Sequence, residues 1–383
     1  MYARIHQHVE NVIWEGAKNA PYYAITFDDG PYILPVSLWL DALEAEGAVG
    51  TFFFTGEWMD RFPEQAKEII RRGHALAPHS HFHRRMAQIP KPVFQEELKA
   101  AELAYQEATG LPCPAYMRFP YCSFDEERLE WLKEWGYYDI EGQDSGDWMG
   151  ISAGEIAQTL IPHLENGYIA VMHSNDIAIG SPGVMKPLCD AAKELGLTSV
   201  PVPAILETLG IPVLYRRWKI VVEVPSEAIG YLDYPADNWS TVVSDEQVQM
   251  KGLASQLPAW GVHYHVNGPE TEEQWLAQLQ TSLPGGLPGE LNPSQWFGVR
   301  EFDGSYWGYA RAYALNDTFV IHEHASKEFQ ADTLVYLLRW SALQAVEAGL
   351  TRIEARQDIR RMLRMCEQLG WKAELVLDQD SYE

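Results

Sequence analysis

The chain is poor in cysteine and in basic residues. It has 4 Cys in 383 residues, too few for a scaffold held together by disulfides. Its 29 Lys and Arg face 54 Asp and Glu, which gives a formal net charge of −25. Both halves are acidic: residues 1–212 hold 15 basic and 30 acidic residues, and residues 213–383 hold 14 and 24. We therefore expect no nucleic-acid partner, whereas neutral ligands such as sugars remain open.

Long apolar runs are also missing. No stretch approaches the ~20 apolar residues that cross a bilayer, so no membrane span is expected. Residues Met1 to His8 form no apolar signal segment, which predicts a cytoplasmic protein, with a removed leader as the alternative. The apolar fraction of 46% excludes a wholly disordered chain, and 383 residues exceed one ordinary domain. We predict two domains, residues 1–212 and residues 213–383.

Short apolar runs alternate with amphipathic segments through residues 22–212. The predicted strands are Tyr23–Phe27, Thr51–Thr55, His74–Ala77, Tyr116–Phe119, Tyr137–Glu141, Tyr168–His173 and Thr198–Pro201. The predicted helices are Leu38–Glu46, Pro63–Arg72, Gln95–Thr109, Asp125–Trp135, Ala153–Asn166 and Val184–Leu195. This alternation predicts an α/β fold, either an open parallel sheet or a closed barrel.

Reactive side chains stand where these strands end. Asp28 and Asp29 follow the first strand, and His79 and His83 follow the third. Catalytic residues of α/β barrels lie at the C-terminal strand ends. Two imidazoles four residues apart can face one centre, and two His with one carboxylate leave an open position on a metal. Taken singly, the adjacent carboxylates also fit a solvated turn.

Three later fragments have equally plain readings when each is considered alone. Arg118 fits a surface arginine, Asp144 fits an Asp-rich turn, and His173 fits the edge of a core. Their order along a single βα series favours one shared site over three unrelated features.

In that order, the motifs resemble those of the polysaccharide deacetylase (NodB-homology) domain, carbohydrate esterase family 4. The matching segments are Thr26–Gly30 (T-F-D-D-G), Gly73–His83 (G-H, then H-S-x-x-H), Arg118–Tyr121 (R-F-P-Y), Asp144–Trp148 (D-S-G-D-W) and Val171–His173 (V-M-H). The resemblance covers about half of the chain and implies a distorted (β/α)7 barrel.

The resemblance also implies metal-dependent hydrolysis. Asp29, His79 and His83 would hold a divalent metal, most often zinc, with cobalt, nickel or manganese as alternatives. Asp28 would be the general base, and Arg118 would pair with its carboxylate and keep it charged.

The remaining implied roles concern the leaving group and the acetyl pocket. The Tyr121 backbone N–H would stabilise the oxyanion, and His173 would protonate the leaving amine. Asp144 would stabilise the imidazolium of His173. Trp148 and Val171 would line the acetyl pocket.

The chain departs from the family pattern at three positions around the expected site. Cys122 stands where Gly commonly follows the tyrosine, Arg84 replaces the usual Pro, and Ser174 replaces a frequent Asp. These changes concern substrate identity more than the reaction. Cys113 and Cys122 bracket the Arg118 strand, and we expect two reduced thiols, with a disulfide as the alternative.

The second region, residues 213–383, contains a different series of elements. The predicted strands are Arg217–Val224, Phe297–Glu301, Tyr306–Ala314, Thr318–His324 and Thr351–Ala355, and the predicted helices are Leu334–Ala348 and Ile359–Leu369. Residues 297–376 resemble the core of GNAT-type acyltransferases, an α+β fold. The segment Lys327–Asp332 lacks the glycines of the family's pyrophosphate loop and carries Glu328 and Asp332, so no acyl-CoA activity is expected.

Two His-x-His pairs also lie in predicted strands of this region. His263 with His265, and His322 with His324, would each share one strand face. Packed or solvated histidines are favoured over a second metal site.

The sequence thus predicts a metal-dependent hydrolase that removes N-acetyl groups from an amino sugar or an N-acetylated polysaccharide. Two alternatives stay open. One keeps the chemistry but acts on an O-acetyl ester or another non-peptide C–N bond, and the other is a catalytically silent carbohydrate-binding protein. The oligomeric state is left undetermined.

Overall fold

The protein was analysed as a computed structural model, which describes residues 11–224, 248–249, 263–264, 295–300, 306–315, 317–326, 337–338, 341–342, 345–346 and 349–378. The chain divides into two compact units. The first comprises the described residues up to Arg217 together with Asp378, and the second runs from Trp218 to Leu377. No described helix is long and apolar enough to cross a membrane.

The first unit alternates strands and helices. Its strands are β1 (Val12–Ile13), β2 (Tyr22–Asp29), β3 (Gly50–Phe54), β4 (Ala75–Pro78), β5 (Cys113–Pro114), β6 (Tyr116–Met117), β7 (Tyr138–Ile140), β8 (Gln143–Asp144), β9 (Ile169–His173), β10 (Thr198–Ser199) and β11 (Tyr215–Arg216). Its helices are α1 (Ser37–Ala45), α2 (Gly56–Arg61), α3 (Pro63–Arg71), α4 (Lys91–Thr109), α5 (Glu126–Glu134), α6 (Ala153–Leu160), α7 (Ser181–Glu194) and α8 (Val202–Thr208).

Two parallel sheets make up most of this unit. One has the order β4-β3-β2-β9-β8, with β10 paired to the start of β2, and the other has the order β1-β7-β6. The backbone N–H of Arg118 donates to the carbonyl of Pro78 over 3.4 Å, which joins the ends of β6 and β4. The predicted parallel α/β fold is confirmed, and its ladder is interrupted between the two sheets, as in a distorted barrel.

Local sequence explains where several elements differ from prediction. The predicted helix Ala153–Asn166 ends at Leu160 and continues as a 3-10 turn over Ile161–His163, because Pro162 lacks the N–H that a regular helix requires. Helices α2 and α8 were not predicted. Thr55 is the N-cap of helix α2, and its hydroxyl accepts the Trp58 N–H. This helix has only 6 residues and directly follows an apolar strand, which is why the sequence pattern did not indicate it.

The period of two along each strand separates the interior of the first unit from the layer beneath its helices. Ala24 and Phe53 pack in the interior, whereas Ile25 and Phe52 pack against the helices. Asp28 has the same phase as Ala24, and His173 has the same phase as Ile169, which also packs in the interior. The alternation that builds the core therefore also places Asp28 and His173 on the interior side of the sheet, at the C-terminal ends of β2 and β9.

The second unit contains a mixed sheet. Its strands are β12 (Trp218–Glu223), β13 (Val248–Gln249), β14 (His263–Tyr264), β15 (Gln295–Arg300), β16 (Tyr306–Leu315), β17 (Thr318–Ser326), β18 (Arg352–Ala355) and β19 (Ala373–Leu377), and its helix α9 is Ile359–Leu369. The main order is β15-β16-β17-β18-β12-β19. Strands β17 and β18 are parallel, and the other neighbours in this sheet are antiparallel.

Several predictions for the second unit fall outside the described residues. The segment Lys327–Asp332 and His265 are among them, as are the side chains of His263, His322 and His324. Of the predicted helix Leu334–Ala348, three residue pairs are described, 337–338, 341–342 and 345–346, and all are helical. The two His-x-His pairs therefore stay predictions.

Candidate active site and metal centre

Two adjacent carboxylates at the end of β2 serve different neighbours. Asp28 is 4% exposed and is paired in register with His173 on β9. Asp29 has φ 78, a left-handed conformation that is rare for a non-glycine residue and typical of functional sites. This turn of the backbone follows the last strand position, so the second carboxylate faces a different set of side chains.

The second carboxylate faces two imidazoles. Oδ1 of Asp29 lies 3.0 Å from Nε2 of His83 and 3.6 Å from Nε2 of His79. One ligand atom from each of the three side chains can be chosen so that all lie within 4.8 Å of one another. Among the described residues this is the only such group of His, Cys, Asp and Glu.

The loop after β4 brings the two imidazoles together by a strained path. Ser80 has φ 56 and His83 has φ 55, so the chain curls back between the two histidines. The buried carboxylate of Glu97 on α4 accepts the backbone N–H groups of His81 and Phe82, over 3.0 and 2.9 Å. Sequence reasoning missed Glu97 because it lies in the middle of an amphipathic helix.

His79 is prepared to act as a ligand. Its Nδ1 lies 2.8 Å from the carbonyl of Arg118, so Nδ1–H donates there and the Nε2 lone pair is left for a ligand. Burial lowers the pKa of His79 to about 4, which keeps the ring neutral at physiological pH. Burial alone would raise the pKa of Asp29, but the facing imidazoles of His83, His79 and His173 hold it below its usual range.

These three residues fit a divalent metal. Oδ1 of Asp29 is buried and makes no well-formed hydrogen bond, although two imidazole nitrogens lie near it. Two neutral imidazoles and one carboxylate are a donor set that zinc and similar ions accept, with a position left open. Buried polar atoms need partners, and a cation here would satisfy all three donors at once.

Asp28 belongs to a separate buried network. Nη1 of Arg118 donates to Oδ1 of Asp28 and to Oγ1 of Thr26, over 2.7 Å in each case. Nε of Arg118 donates to the Ile140 carbonyl over 2.6 Å, and the guanidinium lies 4.4 Å from the Phe53 ring centroid. Arg118 is 2% exposed, so buried neighbours such as Asp28 must compensate its charge.

His173 is held by Asp147, not by Asp144. Nδ1 of His173 lies 2.7 Å from Oδ1 of Asp147, and the backbone N–H of His173 donates to Oδ2 over 2.7 Å. Asp147 is fully buried and also accepts the hydroxyl of Ser181. Burial by itself would lower the pKa of His173, but the hydrogen bond to Asp147, with the charges of Asp28, Asp147 and Asp29, raises it to about 9.

The prediction that Asp144 stabilises the His173 imidazolium is therefore wrong. Asp144 is exposed at the end of β8, where Oδ1 accepts the Gly146 N–H and Oδ2 accepts the Trp148 indole N–H. The turn at Gly146, with φ 76, separates the two acids of the D-S-G-D-W segment. That turn directs Asp147 inward and leaves Asp144 on the surface.

Comparison with known proteins agrees with this arrangement. Residues 15–140 match the family model described as polysaccharide deacetylase. The first unit therefore resembles this family, and we call it the deacetylase domain.

Curated relatives and solved structures match up to about half of the chain. A peptidoglycan-N-acetylglucosamine deacetylase from Bacillus cereus is 27% identical over 198 residues, 51% of this chain and 72% of that protein. A chitooligosaccharide deacetylase from Bradyrhizobium is 25% identical over 150 residues, 39% of this chain and 68% of that protein. The structure of a family 4 carbohydrate esterase from Streptomyces lividans in complex with acetate is 27% identical with a TM-score of 0.44, and the match covers 48% of this chain and 93% of that one.

The rim of the deacetylase domain contains the other predicted residues. Tyr121 has φ 61, and its backbone N–H has no acceptor among the described residues. Its ring lies 4.5 Å from the His83 ring, between centroids. Trp148 is half-exposed and Val171 is buried at 8% exposure. The acetyl pocket expected between Trp148 and Val171 stays a prediction.

Behind Arg118, the deacetylase domain contains two buried acids that the sequence analysis did not single out. Burial raises the pKa of Asp139 to about 7 and that of Glu141 well above its usual range. Asp139 accepts the Phe119 N–H over 3.2 Å. Two carboxyl groups this buried retain a proton between them at neutral pH. Asp28 is therefore the main counter-ion of Arg118. The four cysteines are all free, so Cys113 and Cys122 form no disulfide.

A further residue of the deacetylase domain orients the metal-site carboxylate. Nδ2 of Asn175 donates to Oδ2 of Asp29 over 2.7 Å, while its Oδ1 accepts the backbone N–H groups of Ile177 and Ala178, over 3.0 Å each. Both ends of the amide are therefore fixed, and Asp29 is left to present Oδ1. The sequence offered no signal for this contact because the two residues lie 146 positions apart.

Asn175→Ala is expected to weaken metal binding roughly 10–100-fold, because Asp29 loses the donor that holds its second oxygen. Competition with a chromogenic chelator measures the Kd directly. Asp176→Asn is the matched control, since Asp176 caps the N–H groups of Tyr32, Ile33 and Leu34 from the same loop without touching Asp29. Equal losses in the two variants would show that the loop matters and the Asn175 donor does not.

Proposed function

We propose that the chain is a metal-dependent hydrolase that removes N-acetyl groups from an amino sugar or an N-acetylated polysaccharide. One observation carries the proposal: a three-donor metal site, an Arg-paired carboxylate and an Asp-paired histidine meet at the end of β2. The relatives named as N-acetylglucosamine and chitooligosaccharide deacetylases support this substrate class.

The residues divide the work of breaking an amide bond. A divalent ion held by Asp29, His79 and His83, for which we propose zinc, would polarise the amide carbonyl and make a nearby water more acidic. Asp28 takes the proton of the attacking water, and Arg118 fixes its Oδ1 so that Oδ2 faces the reaction.

The leaving group and the oxyanion depend on the opposite side of the site. The free backbone N–H of Tyr121 donates to the carbonyl oxygen as it gains negative charge. His173 is protonated at neutral pH because of Asp147, and it donates its proton from Nε2 to the amine as the C–N bond breaks. The products are acetate and a free amino sugar.

The test is acetate release from N-acetylglucosamine oligomers with and without metal. A strong chelator is expected to abolish release, and one equivalent of Zn²⁺, compared with Co²⁺, Ni²⁺ and Mn²⁺, is expected to restore it. His79→Ala is expected to bind metal weakly and to show no such recovery. Release that survives both chelation and His79→Ala would overturn the proposal.

A substrate panel separates the alternatives. Faster release from O-acetylated xylan than from N-acetylated oligomers would assign an ester substrate. Sugar binding without release from any acetylated compound, at full metal occupancy, would assign a silent binding protein.

For the second unit, we propose a GNAT-like fold without acyl-CoA activity. Support comes from its strand order and from the helix α9 that precedes β19. The acidic, glycine-free sequence of Lys327–Asp332 argues against a pyrophosphate site.

A further inference from the structure

An arginine lies beside the metal site without a carboxylate partner in the described part of the chain. The Arg85 side chain is exposed, and its Cζ lies 4.2 Å from the centroid of the Tyr121 ring. The same ring lies 4.5 Å from the ring of the metal ligand His83. The Tyr121 ring therefore contacts both the Arg85 guanidinium and a ligand of the metal site.

Several other arginines of the first unit are ion-paired, although Arg61 and Arg71 are not among them. Five of them lie within 3.4 Å of a carboxylate oxygen: Arg72, Arg84, Arg118, Arg128 and Arg216. Residues 1–212 hold twice as many acidic as basic residues, 30 against 15, so carboxylates are plentiful. Arg85 differs from the other unpaired arginines, Arg61 and Arg71, in that it stacks on a ring that contacts a metal ligand.

Stacking prepares Arg85 to bind an anion. A guanidinium over an aromatic face keeps its in-plane N–H donors free for a ligand at its edge. The backbone beneath it is anchored, since Glu97 binds the N–H groups of His81 and Phe82 and also pairs with Nε of Arg84 over 2.8 Å. The Tyr121 ring thus holds the Arg85 guanidinium, and Glu97 holds the loop from which the Arg85 side chain extends.

We propose that Arg85 binds a carboxylate on the substrate near the acetamido group that is cleaved. The preferred substrate is then an anionic N-acetylated carbohydrate, and Arg85 is a specificity-determining residue. This inference rests on the proposed deacetylase function. An acidic domain repels an anionic substrate at long range, so a local cation is needed to bind one, and guanidinium–carboxylate pairs offer two parallel hydrogen bonds.

The experiment compares acetate release from matched substrates. The anionic probe is the disaccharide of N-acetylglucosamine and N-acetylmuramic acid, which carries a lactyl carboxylate, and the neutral probe is its methyl ester. A disaccharide of N-acetylglucosamine and glucuronic acid tests whether a carboxylate on the neighbouring ring serves as well. The parent is expected to favour one of the two acids over the methyl ester in kcat/KM, mainly through KM.

Arg85→Gln is expected to lower that preference roughly 10–100-fold, and Arg85→Lys is expected to retain part of it. Any disturbance of Tyr121 would affect acid and ester alike, so the ratio isolates recognition of the carboxylate. Arg71→Ala is the matched control, because Arg71 is exposed like Arg85 but lies away from the metal site. Arg71 ends α3, ahead of the first residue of β4, whereas the metal ligand His79 follows the last residue of β4.

The outcomes separate the two proposals. Equal kcat/KM for acids and ester in the parent, or an unchanged preference in Arg85→Gln, would overturn the role of Arg85 while deacetylation stands. Absence of acetate release from every probe at full metal occupancy would overturn the proposed function itself.

Discussion

Asp28→Asn is expected to lower kcat for acetate release roughly 10²–10⁴-fold while the protein still binds its metal. Asn has the shape of Asp and can still accept the hydrogen bond from Arg118, but it cannot take a proton from water. The metal donors are three other side chains, and Asp28 pairs with Arg118 instead, so metal affinity should change little. Rates at saturating substrate and the metal content of the same sample provide the measurement.

Stability must be measured alongside activity in this variant. Removing the charge of Asp28 leaves the buried Arg118 without its nearest counter-ion, which in other proteins costs about 3–5 kcal/mol. Asp139 and Glu141 lie close enough to compensate part of this by releasing their shared proton. A lowered Tm with a native circular dichroism spectrum is therefore expected.

A surface carboxylate provides the control for Asp28. Asp190→Asn removes an exposed partner of Lys186 on α7, and we expect it to change neither kcat nor Tm appreciably. If Asp28→Asn kept kcat within tenfold of the parent at full metal occupancy, the base would have to be another residue.

The sequence predicted two imidazoles and a carboxylate at one site because that signal is local, and the family resemblance implied that Asp29 is the carboxylate. Asp29 ends an eight-residue strand, and His79 and His83 are four residues apart at the end of another. Parallel pairing then places the ends of β2, β3 and β4 at one edge. Strand pattern and residue type together predict such a cluster, but they do not decide between Asp28 and Asp29.

The partner of His173 could not be predicted in the same way. The D-S-G-D-W segment offers two acids three positions apart, and only the turn at Gly146 decides which one enters the core. Asn175 and Glu97 were missed for a related reason, since each acts on a segment distant from it along the chain. Contacts that depend on tertiary placement have no periodic signature in a single sequence.

Asp147→Asn is expected to lower kcat/KM roughly 10²–10⁴-fold at neutral pH and to displace the alkaline limb of the pH profile to lower pH. The parent should lose activity as pH rises through about 9, where His173 gives up the proton it must donate. Without the Asp147 carboxylate, the dominant remaining influence is burial, which lowers the pKa of His173 towards or below its ordinary 6.5. Asn can also donate to Nδ1, and an Nδ1 that accepts this hydrogen bond carries no proton, so the charged imidazolium that acts as the acid is disfavoured further.

The same substitution at Asp144 distinguishes the structural assignment from the sequence-based one. Asp144→Asn removes a charge from an exposed carboxylate that binds Gly146 and Trp148, so its alkaline limb should coincide with that of the parent. Ser181→Ala tests for loss of folding, because it removes one contact of Asp147 but keeps the pair with His173. An alkaline limb that moves in Asp144→Asn and stays in place in a folded Asp147→Asn would return the role to Asp144. A shift confined to Asp147→Asn would mean that a fully buried carboxylate keeps His173 protonated, as the geometry requires.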